Sequence, residues 1–108
     1  MLWEHFMLNE LMTRMQSRDV AYWRDKRGHQ VDFVLARRGE KPMAIECKWS
    51  AHGFDPTNLL AFRHQHPEGD NVVVAQDVER TFTRTFVGLD VRFESVDAFA
   101  ESVAEGPA

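Results

Sequence analysis

A single α/β domain is what this chain of 108 residues predicts: a helix, a three-strand antiparallel meander, a second helix and a further strand, in a mixed sheet with a helix on each side. Three observations predict it. Residues 2–16 contain no Pro or Gly and repeat apolar residues at helical spacing. Three apolar runs then follow, joined by short links bearing glycine and charge. Finally a capping residue opens a short helical stretch that leads into Asn-Val-Val-Val-Ala at 71–75.

Taken in order, residues 2–16 placed at steps of about 100° put Trp3, Met7, Leu8, Leu11 and Met15 on one side of a helix, with His5, Asn9, Thr13 and Gln16 opposite. Glu4 falls within the apolar side, where a carboxylate costs several kcal/mol unless it is paired or bound to a metal. Glu10 stands four residues before Arg14, the favourable order for a surface ion pair. Residues 19–25 (DVAYWRD), 30–37 (QVDFVLAR) and 43–49 (MAIECKW) read as strands, with turns at Lys26–Gly28 and Arg38–Lys41. Gly53 and Pro56 mark a loop, and Asp55 or Thr57 caps a helix through Leu59, Leu60, Phe62 and Arg63 that stops at His66 and Pro67. The run 71–75 has three β-branched residues in succession, as expected of a strand covered on both faces. Residues 81–87 and 91–94 read as strands, and 96–104 as a short helix.

Composition bounds the function. The chain is 44% apolar and 28% charged, so one core is feasible and two domains do not fit. No apolar run approaches the roughly 20 residues that span a bilayer. The N-terminus carries Glu4 and His5 where a signal peptide needs a basic end and an apolar stretch, and Cys47 is the sole cysteine. Both point to the reducing cytoplasm and to no membrane partner. The net charge of −4 argues against coating nucleic acid by bulk attraction. Residues 1–50 nevertheless carry nine Lys or Arg against seven acids, and residues 51–108 four against ten, so one face can still meet phosphate.

Side chains alternate along a strand, so Val31, Phe33 and Leu35 are expected on one face and Asp32, Val34 and Ala36 on the other. On the next strand Met43, Ile45, Cys47 and Trp49 share one face and Ala44, Glu46 and Lys48 the opposite one. A turn near Gly39 brings Asp32 and Glu46 to adjacent-strand distance, about 5 Å. Two carboxylates facing each other call for a cation, and hard oxygen donors suit Mg²⁺ or Mn²⁺. If the first helix packs on this sheet, Glu4 reaches the same patch. Ion pairing of Asp32 and Glu46 with Lys48 or an arginine is the structural alternative. Arg24, Lys26, Arg27, Arg37 and Arg38 occupy the two hairpin turns, where they serve solubility or, if the turns share one end of the meander, grip phosphates. His64 and His66 lie two apart and do not share a helical face for zinc, and Cys47 reads as a core thiol.

Asp32 followed by Glu46, Cys47 and Lys48 on the next strand resembles the Asp and Glu-x-Lys signature of the PD-(D/E)xK nuclease superfamily. LWEHFMLNEL, YWRDKRGHQVDFVL and AIECK, with LLAFRHQHPEGDNVVVA and GLDVRFESVDAF, more closely resemble the C-terminal domain of unknown function attached to prokaryotic AAA-type ATPases. The resemblance implies a restriction-endonuclease-like fold, with Asp32, Glu46 and Lys48 catalytic, and Glu4, Asp32, Glu46 and the carbonyl of Cys47 as ligands of Mg²⁺ or Mn²⁺. It implies a divalent-metal-dependent phosphodiester hydrolase acting on DNA. The alternative is a non-catalytic module of the same fold that binds DNA or docks on an ATPase; a homodimer stays open. Gln30 stands where such domains often have an acid, and no G-x-x-x-x-G-K-[ST] occurs, so this chain has no P-loop.

Overall fold

A computed structural model describes Phe6, residues 20–36 and residues 39–104. The helix expected over residues 2–16, with Glu4, Glu10 and Arg14, lies outside the described residues apart from Phe6, which is helical and exposed. The elements are β1 (Val20–Arg24), β2 (Gln30–Leu35), β3 (Met43–Lys48), α1 (Thr57–Gln65), β4 (Asn71–Ala75), β5 (Phe82–Phe86), β6 (Leu89–Glu94) and α2 (Val96–Ala104). They form a mixed α/β fold with one six-stranded sheet in the order β1-β2-β3-β4-β6-β5. The β1–β2, β2–β3 and β5–β6 pairs are antiparallel, so the expected meander is present, while β3–β4 and β4–β6 are parallel. Among the described residues no helix is long and apolar enough to cross a membrane.

Local chemistry sets the helix ends. Pro56 stands at the N-cap of α1, and Asp55 just before it accepts the Thr57 amide on Oδ1 at 2.9 Å, which satisfies one donor of the first turn. Ser95 caps α2, its hydroxyl accepting from the Ala98 amide at 3.1 Å while its carbonyl accepts the Phe99 amide. Asp97 in that first turn favours the positive helix end.

The sheet is covered on both sides, as parallel strands require. On one face Phe33, Leu35, Ile45, Cys47, Val72 and Val74 pack beneath Phe99 and Ala100 of α2. On the other, Val31, Ala44, Val73, Ala75, Val91 and Phe93 pack beneath Leu59 and Phe62 of α1. Every residue of β4 is buried, which explains its unbroken β-branched run. α1 is further tied to the meander by Trp23, whose ring meets Phe62 edge-on at 5.3 Å.

The far end of α1 is locked by a residue that sequence reading placed on the helix without a role. Arg63 is buried, its guanidinium over the Phe62 ring at 5.0 Å. It donates to Asn71 Oδ1 at 2.7 Å and to the carbonyls of His66, Glu68, Pro42 and Asp70 at 3.1, 2.7, 2.9 and 2.7 Å. Burial pushes the guanidinium's pKa down and the charge of Asp70 opposes that. Gly69 sits inside this knot at φ +133°, where a Cβ would lie 2.0 Å from the Pro42 carbonyl oxygen.

Candidate metal centre and its surroundings

The site begins with an irregularity in β2. Pairing with β1 runs Val20↔Leu35 and Ala21↔Val34, then shifts to Trp23↔Val31 and Arg24↔Gln30. Tyr22 therefore faces two residues, Asp32 and Phe33, which is a β-bulge. The extra residue switches the alternation. Val31 and Val34 pack with the α1-side cluster, while Phe33 and Leu35 pack under α2. The expected grouping of Val31 with Phe33 and Leu35 is thus corrected: strict period-two alternation does not survive an inserted residue.

The bulge re-aims Asp32. Pairing of β2 with β3 runs Leu35↔Met43, Val34↔Ala44 and Phe33↔Ile45, and one further step would set Asp32 opposite Glu46. The Ala44 amide donates toward the β4 side, to the Asp70 carbonyl at 2.9 Å, so the amides of Ile45 and Cys47 face β2. The Cys47 amide meets the Asp32 side chain there, donating to Oδ2 at 2.8 Å. A carboxylate occupies the place of a ladder carbonyl, one residue from Glu46.

Glu46 and Lys48 do share a face. They stand in register with Val73 and Ala75 of β4, both in the α1-side cluster. Glu46 is 2% exposed and Lys48 half-buried, whereas Cys47 is wholly buried in the opposite cluster, a core thiol as expected. A carboxylate buried to this degree costs several kcal/mol without compensating partners. Asp55 is near enough to sense Lys48: the hydroxyl and then the amide of Thr57 hold its carboxyl below the ordinary range against burial, and the Lys48 charge adds to them.

The loop after β3 is anchored by Asp77, another residue without a sequence-level role. Ser50 Oγ donates to Asp77 Oδ2 at 2.6 Å, the Ala51 amide donates to Oδ1 at 2.9 Å, and these hydrogen bonds hold the Asp77 carboxyl low. The loops that leave the parallel strands β3 and β4 are thereby clamped together beside Lys48.

Three of the five basic turn residues fall within the described part of the chain. Arg24, Lys26 and Arg27 are exposed at the β1–β2 tip, at the end of the sheet that carries Lys48. Asp25 shapes that tip: its Oδ1 accepts the amides of Arg27 and His29, each at 2.9 Å, and its Oδ2 lies 2.8 Å from His29 Nδ1. Burial pushes the Asp25 carboxyl up, but the His29 ring and the two amides outweigh it and hold the group low. The segment containing Arg37 and Arg38 follows Leu35 at the opposite end of β2, and these two residues lie outside the described ones. The two ends of β2, a six-residue strand, lie about 20 Å apart.

Asp32, Glu46, the Cys47 backbone and Lys48 come together on two strands, and the position of Glu4 is outside the described residues. Among the described residues no group of three His, Cys, Asp or Glu converges as a metal cluster. The oxygen donors present nevertheless fit a hard cation in kind. The His66 ring lies tilted against Phe62, centroids 4.9 Å apart, a packing role. The Asp25 turn had a sequence signal, since an Asp three residues before Gly28 favours a tight turn and accepts its amides. The profile of a family described as "Domain of unknown function (DUF4143)" matches residues 1–91. No curated protein matches the chain.

Proposed function

The chain belongs to the DUF4143 family, whose description assigns no activity, and from its own residues we propose that it is a divalent-metal-dependent phosphodiester hydrolase acting on DNA. The observation that carries this is the Asp32 carboxylate, turned by a bulge onto the backbone beside Glu46, with Lys48 on the same face as Glu46. Bulges cluster next to active sites because they re-aim a side chain. The element order from β1 to β4, with α1 crossing between the parallel pair, supports a restriction-endonuclease-like core of the PD-(D/E)xK type. The buried lone cysteine supports a reducing, cytoplasmic setting.

Asp32, Glu46 and the Cys47 carbonyl would hold Mg²⁺ or Mn²⁺, with Glu4 as a further ligand. Such an ion, when bound, offsets charge on a phosphodiester and lowers the pKa of water. Lys48 places its ammonium where negative charge grows on the phosphate oxygens, and it orients the attacking water by donating to it. Asp55 and the Asp77 clamp position the segments that follow Lys48.

One observation favours a second reading, a fold-retaining module that binds DNA or docks on an AAA-type ATPase without turnover: one oxygen of Asp32 is already taken by the Cys47 amide. Titration calorimetry with Mn²⁺, followed by cleavage of mixed labelled DNAs, separates the two. The hydrolase binds Mn²⁺, loses that binding in Asp32→Asn, and cleaves. Wild-type protein that takes up no Mn²⁺ and leaves every DNA intact overturns it.

A further inference from the structure

We infer that the cleft between the β1–β2 tip and the outer side of α1 binds the phosphodiester backbone of a nucleic acid, with the helix as its second wall. The ligand's identity rests on the phosphodiester reading above; the cleft itself stands on geometry and charge. Two hollows of about 570 and 540 Å³ adjoin there, sharing Asp25, Arg27 and Gln65. The first is completed by Arg24 and Lys26, the second by His29 and His64 with Leu60 and Ala61. The hairpin is held against the helix at its base, where the Gln30 amide donates to Asn58 Oδ1 at 3.3 Å and Trp23 meets Phe62. The cleft is thus built by packing between two elements rather than by one exposed turn.

Among the described residues none of Arg24, Lys26 and Arg27 forms an ion pair. The one acid in the lining, Asp25, turns its oxygens onto His29 and two amides, so it shapes the tip instead of pairing with those cations. Three cations within four residues make a local positive field on a chain whose net charge is −4. A phosphate chain needs cations and forked donors of this kind, and two of the three are arginines. An acidic peptide would also need apolar anchors, of which the lining offers only Leu60 and Ala61. The cleft opens at the end of the sheet that carries Lys48, so a backbone seated in it approaches the candidate centre.

The test is anisotropy of a labelled DNA duplex with the full chain in EDTA, so that binding is read apart from hydrolysis. Affinity should fall steeply with salt, and Arg27→Ala should reduce the slope by about 0.9. His64→Glu, on the helix wall, should weaken binding by about tenfold. Arg84→Glu changes the formal charge by two units, against one for His64→Glu, but sits on the far edge strand β5, its guanidinium over Phe82 at 5.4 Å, and should leave binding unchanged. An unaltered slope in Arg27→Ala removes the tip, and equal behaviour of His64→Glu and Arg84→Glu removes the helix wall; either overturns the proposal. Poly-glutamate that competes as well as DNA at equal charge overturns the nucleic-acid assignment. Absence of cleavage in Mn²⁺ with these binding results intact would sink the hydrolase and leave the cleft standing.

Discussion

Cys47 and Lys48 are chain neighbours with opposite surroundings, and that contrast makes the sharpest test of the site. Cys47 contributes its amide to Asp32 and its side chain to the α2-side core, so Cys47→Ala keeps the amide and should cost about 1 kcal/mol of stability while sparing any cleavage rate. Lys48→Ala should abolish cleavage in single turnover and leave Mn²⁺ affinity nearly intact. Equal loss of activity from both would mean the faces of β3 are misassigned. Asp25 makes a prediction about pH. Its carboxyl is lower in the fold than its ordinary value of 3.8, so it contributes stability that is present above that value and disappears as pH falls through the folded one. Urea midpoints of wild type and Asp25→Asn should therefore differ near neutrality and converge in acid; a constant difference would contradict this. Both carboxylates that matter here, Asp25 and Asp32, act on backbone amides. The turn of Asp25 is written in its spacing to Gly28. The hydrogen bond of Asp32 is not, because it depends on a bulge produced between strands.

Among the elements, two hairpin and loop positions put opposite demands on the backbone. Val87 and Gly88 form the two-residue turn between Phe86 and Leu89, with φ of 52° and 80°. Gly88 suits such a turn, but Val87 is β-branched, 87% exposed, and in the left-handed region. Val87→Asn should raise stability by about 1 kcal/mol in denaturant unfolding, since Asn tolerates that region and nothing is lost from the core. Gly69→Ala should do the reverse and lower it by about 3 kcal/mol, because its Cβ would strike the Pro42 carbonyl that Arg63 holds. A neutral Gly69→Ala would mean the Arg63 knot yields easily. Strand and helix positions were legible from periodicity: β4 and α2 match the expected ranges, and β2 and β3 end one or two residues early. Strand ends are decided by where pairing stops, which the partner strand sets.

At the scale of the molecule, the family match ends at residue 91, within β6, yet the core does not. Phe93 lies beneath α1, and Phe99 and Ala100 of α2 close the other face over Ile45, Cys47 and Val74. Phe99→Ala should therefore cost about 3–5 kcal/mol by thermal or denaturant unfolding. It should also weaken Mn²⁺ binding less than Asp32→Asn does, because it loosens the strand that carries Glu46 without touching a donor. Loss of metal binding at unchanged stability would place Phe99 in a different role.

Within the described residues the sequence by itself determined the kinds of element, their order, the antiparallel meander and the fully covered β4, because apolar periodicity and turn residues act over a few neighbours. It also singled out Asp32, Glu46 and Lys48, and the register of β2 against β3 followed from the position of the turn. Only the tertiary structure decided that a bulge turns Asp32 onto the Cys47 amide, and that the β1–β2 tip folds against α1 to make a cleft. Each of these depends on an element far away in the chain, and local pattern carries no information about a partner that arrives later.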